Sequence, residues 1–133
     1  MRFSRRCFLL TGFALACAPA VQSNGMQSVV TDRLYFGRKT ADSLSVTDSA
    51  WTVFLKDAVS PRLPSGFTFW VAAGEWRGSD GRSRHEPSFV LEVVHPPRSA
   101  AVDSAIVGII AEYKRRFRQE SVLRVITGGQ ASY

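Results

Sequence analysis

His85-Glu86 and His95 are the only places where this sequence offers an imidazole to chemistry. His85 and Glu86 are adjacent, so they lack the HExxH spacing that sets two imidazoles on one helical face. His95 stands just before Pro96-Pro97 and reads as a polar residue at the end of a strand. No third ligand accompanies the pair, and no metal site is predicted. None of the serines sits in a G-x-S-x-G elbow, and two histidines leave a catalytic triad few bases to use. Gly74, Gly78 and Gly81 belong to a hairpin with no helix following, so they do not form a phosphate cradle.

A looser constellation remains in Arg33, Tyr35, Trp76, Glu86, Gln119, Glu120 and Arg124. Its simplest reading is a network of ion pairs and hydrogen bonds tying the end of a helix to a sheet. Two functional readings stand beside it. Arg33 and Arg124 could hold an anionic ligand, or Glu86 or Glu120 could act in acid–base catalysis, with Tyr35 beside Glu86. No residue is assigned a catalytic role, and no cofactor is implied. The expectation is a ligand-binding or protein-interaction module. A small cofactorless enzyme around Glu86 and Tyr35, and an accessory subunit of an exported complex, are the alternatives.

The elements that must carry these residues are legible from periodicity. Leu34-Tyr35-Phe36 before Gly37 reads as a strand. Thr47 is a candidate N-cap with Asp48 in the first turn. Trp51, Phe54, Leu55, Ala58 and Val59 then follow the helical spacing of a single apolar face. Pro61 and Pro64-Ser65-Gly66 end that helix. Residues 67–73 predict a second strand, Gly78-Ser79-Asp80-Gly81 a turn, and residues 89–95 a third strand. Ser99 can cap a second helix with Val102, Ile106, Ile109 and Tyr113 on its face. Lys114, Arg115, Arg116 and Arg118 then complement the helix dipole at its C-terminal end. Residues 122–126 predict a last strand.

That order is β-α-β-β-α-β, the α+β class, and it predicts a ferredoxin-like sandwich. Two right-handed crossovers put both helices on one face of a four-stranded antiparallel sheet, with strand order 4-1-3-2. Alternation assigns Leu34, Phe36, Phe67, Phe69, Val71, Phe89, Leu91, Val93, Leu123 and Val125 to the helix-covered face. Arg33, Tyr35, Thr68, Trp70, Val90, Glu92, Arg124 and Ile126 fall on the open face. A half-apolar open face of this kind predicts a cover, and a homodimer through it is the first expectation, a small ligand or an envelope partner the next.

The N-terminal 20 residues predict where the protein works. Arg2, Arg5 and Arg6 precede about ten uncharged, mostly apolar residues, too few to cross a ~30 Å hydrocarbon core. Ser4-Arg5-Arg6-Cys7-Phe8-Leu9 resembles a twin-arginine export signal, with a general secretory leader as the alternative. Ala18-Pro19-Ala20 predicts cleavage before Val21. Leu15-Ala16-Cys17 loosely resembles a lipobox and makes Cys17 a candidate for lipidation. The organisation is thus a leader over 1–20, a spacer over 21–30 and one domain over 31–133. The expected location is the periplasm or, through a lipid, the envelope surface, with membrane contact only through the signal or that lipid.

Three of the 17 basic residues lie in the leader, leaving 14 against 11 acidic ones. The pI near 10 therefore overstates any nucleic-acid role, and the RNA-binding signature of this topology is absent from the third strand. Both cysteines also lie in the leader, so the domain is predicted to hold together by packing without a disulfide.

Several runs resemble domain-of-unknown-function family 3574. They are Leu34-Tyr35-Phe36-Gly37, Pro61-Arg62-Leu63-Pro64-Ser65-Gly66-Phe67-Thr68, Gly74-Glu75-Trp76-Arg77, Glu86-Pro87-Ser88 and the stretch from Tyr113 to Val125. The likeness spans the whole domain with its motifs in order. It implies a small exported bacterial protein, often with a lipoprotein-like leader, and no established activity. The family pattern favours Phe, Asp and Gln where this chain has Leu63, Ser65 and Glu75. A ligand role for that glutamine therefore does not carry over.

Overall fold

The computed structural model describes residues 25–39, 45–77 and 80–132. The expected leader, Cys17, residues 21–24 of the expected spacer and Gly78-Ser79 of the expected turn lie outside the described residues, as does the Trp76 side chain. The elements run β1 (Gln27–Gly37), α1 (Asp48–Phe54), β2 (Thr68–Arg77), β3 (Ser83–His95), α2 (Ala100–Phe117) and β4 (Leu123–Ala131). The strands pair antiparallel in the order β2-β3-β1-β4, the expected 4-1-3-2 taken from the other edge. Each strand outruns its apolar signal at one end or both. Gln27–Val30, expected in the spacer, are instead the first residues of β1.

Thr47 caps α1 as expected, its hydroxyl accepting from the Ala50 amide at 3.1 Å. The helix then widens into a π-helical turn over Leu55–Val59, which keeps Leu55, Ala58 and Val59 buried on the same side. Ser99 occupies the N-cap position of α2, but its side chain makes no capping bond there. At the other end Arg118 adopts a left-handed conformation (φ 52°) and stops the helix. Arg115 and Arg116 both reach back to Glu112, an acid one turn earlier.

Both helices pack on the face bearing Leu34, Phe36, Phe89, Leu91 and Val93. Aromatic rings fill the centre of this core. Trp51 stacks on Phe89 at 4.4 Å between centroids, and Phe36 meets Tyr113 edge-on at 4.6 Å.

The face assignment needs correction in β4 and qualification at the β2 edge. Leu123 and Val125, expected in the core, pair with Tyr35 and Arg33 and lie on the open face, 60% and 40% exposed. Arg124 and Ile126, expected on the open face, pair with Leu34 and Asp32 and face the helices. Strand β4 is apolar on both sides, so alternation could not decide its register; the buried carboxylate of Asp32 does, by drawing Arg124 inward. Phe69 and Val71 sit on the helix side as expected but remain 46% and 59% exposed, on the edge strand β2. Val90 is on the open face yet fully buried, opposite Trp70 and Tyr35 on the flanking strands.

Candidate functional site

A cleft of about 530 Å³ opens at one end of the open sheet face. Tyr35 and Gly37 of β1 lie along its floor, with Gly74 and Glu75 of β2, Glu86 and Ser88 of β3, and Leu123 of β4 around them. The α2–β4 link, residues 118–121, forms one wall, and Lys39 stands where β1 leaves the sheet. The left-handed turn at Arg118 swings this link over the sheet end. Gln119 then fastens it, its Nε2 donating to the Lys39 carbonyl at 2.7 Å. Lys39 Nζ donates in turn to the His85 carbonyl at 2.9 Å, and the Arg38 amide to the Pro87 carbonyl at 3.2 Å. The walls are therefore cross-tied through backbone groups of Arg38 and Lys39, just past β1, and of His85 and Pro87 in β3.

The acidic side chains of the cleft are not used in this way. Among the described residues, none of Glu75, Glu86 and Glu120 has a hydrogen-bond or ion-pair partner for its carboxylate. Glu86 is half-buried, and its Oε1 lies against the Cα side of Gly37. Lys39, the lysine of the lining, has its ammonium engaged at His85. Tyr113, on the far side of β1, donates its hydroxyl to the Gly37 carbonyl at 3.0 Å, and burial pushes that phenol far up.

Of the sequence-predicted constellation, the fold brings Tyr35, Glu86, Gln119 and Glu120 into this one cleft. It separates the two arginines. Arg33 is on the open face, its Nε donating to Glu92 Oε2 at 2.9 Å, and its guanidinium lies 5.8 Å from the Trp70 ring. Arg124 is on the opposite face, its Nε donating to Asp32 Oδ1 at 2.6 Å and its Nη2 2.8 Å from Asp103. A shared anion site on Arg33 and Arg124 is excluded by that geometry, since sheet neighbours of opposite facing cannot converge on one ligand.

Periodicity had a signal for the missed partner. Asp32 is in phase with Leu34 and Phe36, so it had to point into the core. There its second oxygen accepts from His95 Nε2 at 2.8 Å, while His95 Nδ1 lies 2.9 Å from the Pro96 carbonyl. Carboxylate and carbonyl both only accept, so each ring nitrogen faces an acceptor oxygen. Burial alone would push the Asp32 carboxyl up, but bonds from Arg124 and His95, with their charges, hold it below the ordinary carboxylate range. With both imidazole nitrogens occupied, the Asp32–His95 pair is not arranged as a catalytic base. It borders a second, shallower hollow at the start of α2, on the far side of the sheet.

Residues 31–133 match the family model described as a protein of unknown function, DUF3574. The chain belongs to this family. No curated protein sequence matches this DUF3574 chain. Solved structures give a fold likeness. A phage SAM lyase in complex with S-methyl-5'-thioadenosine aligns with TM-score 0.56 and 17% identity, over 79% of this chain and 90% of that one. A phage SAM lyase in the apo state aligns with TM-score 0.57 and 16% identity, over 87% and 97%. At such identities the likeness shows a shared fold.

Proposed function

We propose that this DUF3574 domain binds a small organic cation in the cleft between Tyr35, Glu86 and the α2–β4 link. The observation that carries the reading is the Glu86 carboxylate, half-buried and without a partner among the described residues. Partial desolvation of an unpaired charge is costly, and a cationic ligand removes the cost by supplying the partner. Glu75 and Glu120 add negative charge along the rim, and Tyr35 adds aromatic surface suited to a cation. A sulfonium such as S-adenosylmethionine is a natural probe, because the fold is shared with a phage SAM lyase.

The same likeness favours one second reading, a cofactorless lyase acting on such a sulfonium. The sulfur would take the electron pair of a broken C–S bond and leave as a neutral thioether. The carbon fragment would either close on its own carboxylate or lose a β-proton to Glu86. Calorimetric titration with S-adenosylmethionine and with S-methyl-5'-thioadenosine tests binding, and chromatography of the incubated mixture tests turnover. Tighter binding of the cation supports the reading; binding of neither, or of anions only, removes it. Thioether accumulating with time would select the lyase.

The leader expected over residues 1–20 supports an envelope location for this binding, and mass spectrometry of the processed N-terminus tests it: a free Val21 amine or an acylated Cys17. The exposed Trp70, Val94, Leu123 and Val125 of the open face support a homodimer through that face.

A further inference from the structure

We propose that Gly37 is the specificity-determining residue of the cleft: its missing side chain seats the Glu86 carboxylate where the positive charge of the ligand is read. The inference rests on the cleft being a cation site. A Cβ placed on Gly37 would stand 2.7 Å from Glu86 Oε1 and 3.6 Å from Gln119 Oε1. The first distance is below any normal carbon–oxygen contact, so the Glu86 oxygen occupies the space that another residue would fill. Glycine is not needed here for its backbone freedom, because Gly37 is an ordinary strand residue without a positive φ. It is needed for room.

The backbone cannot give way instead. Gly37 is paired with Ser88 across the sheet, and its carbonyl accepts the Tyr113 hydroxyl from the core side. The end of a glutamate side chain is the softer partner. An added methyl would therefore leave the strand in place and push the Glu86 carboxylate out of its seat. The notch thus holds a charged group of β3 over the end of β1, beside the Gln119 amide of the α2–β4 link. A cation entering the cleft meets a carboxylate already in position, with no side chain to reorganise. A neutral molecule of the same shape gains nothing from it.

The test uses the full chain, with S-adenosylmethionine as the cationic probe and S-methyl-5'-thioadenosine as the neutral one. Wild type is expected to favour the cation. Gly37→Ala should lower affinity for the cation about tenfold or more while leaving affinity for the neutral probe and the melting temperature nearly unchanged. Glu86→Gln should do the same, and the double variant should be no worse than either alone, because both changes remove one interaction. A Gly37→Ala protein that keeps the wild-type preference for the cation overturns the assignment of Gly37 and leaves the cation site standing. A wild type with no preference between the probes overturns both. If Gly37→Ala does not fold, Glu86→Asp decides, since the shortened side chain cannot reach the notch: lost preference supports the proposal and retained preference overturns it.

Discussion

Asp32 is the residue whose environment has the clearest energetic consequence. Its carboxylate is fully buried and divides its two oxygens between Arg124 and His95. Removing one member of such a cluster strands the others without a counter-charge, which is costlier than losing the pair's net attraction. Asp32→Ala should lower stability by about 3 kcal/mol in urea unfolding. The pH dependence has a definite sign. The folded-state carboxyl lies below its ordinary value of 3.8, so its contribution is present above that pH and is lost as pH falls through the lower folded value. Wild type should therefore lose stability steeply on acidification in that range, and Asp32→Asn should be much flatter there. Equal slopes would show that Asp32 is not the linked group. Tyr113→Phe, which removes only the hydroxyl donated to Gly37, should cost about 1 kcal/mol by the same measurement.

At the scale of elements, the two helix starts make a matched comparison. Thr47 makes the side-chain bond of a true cap, and Ser99 stands in the same position without making one. Thr47→Ala should cost about 1 kcal/mol, while Ser99→Ala should be close to neutral. Sequence periodicity marks both helices and all four strands, because amphipathic spacing is a local property of each segment. It fails at the ends and at the edges. The polar and glycine-rich run Thr127–Ala131 has no apolar alternation, yet the ladder with β1 carries β4 through it. Facing in β4 was illegible for a related reason. With Leu123, Val125, Val122 and Ile126 apolar on both sides, only pairing with β1 and the pull of Asp32 on Arg124 set the register.

For the whole molecule, the sheet is covered on one face and open on the other, with the cleft at one end of the open face. The uncovered apolar side chains lead to a further expectation. Light scattering at micromolar concentration should give a dimer mass, and Leu123→Lys combined with Val125→Lys should return a monomer that keeps the wild-type melting curve. A wild type that is monomeric under those conditions would remove the homodimer. Four of the seven constellation residues converge on the cleft because the end of β1, the adjoining part of β3 and the α2–β4 link meet at one end of the sheet. Residue type and local period were enough for the element order, the apolar core, the absence of cysteine from the domain and the family. They were not enough for the relations that make the site. Arg33 and Arg124 stand back to back, Asp32 is the buried anion that holds Arg124 on the helix side, and Gly37 leaves room for Glu86. Each of these depends on register between strands distant in the chain, which no local period encodes.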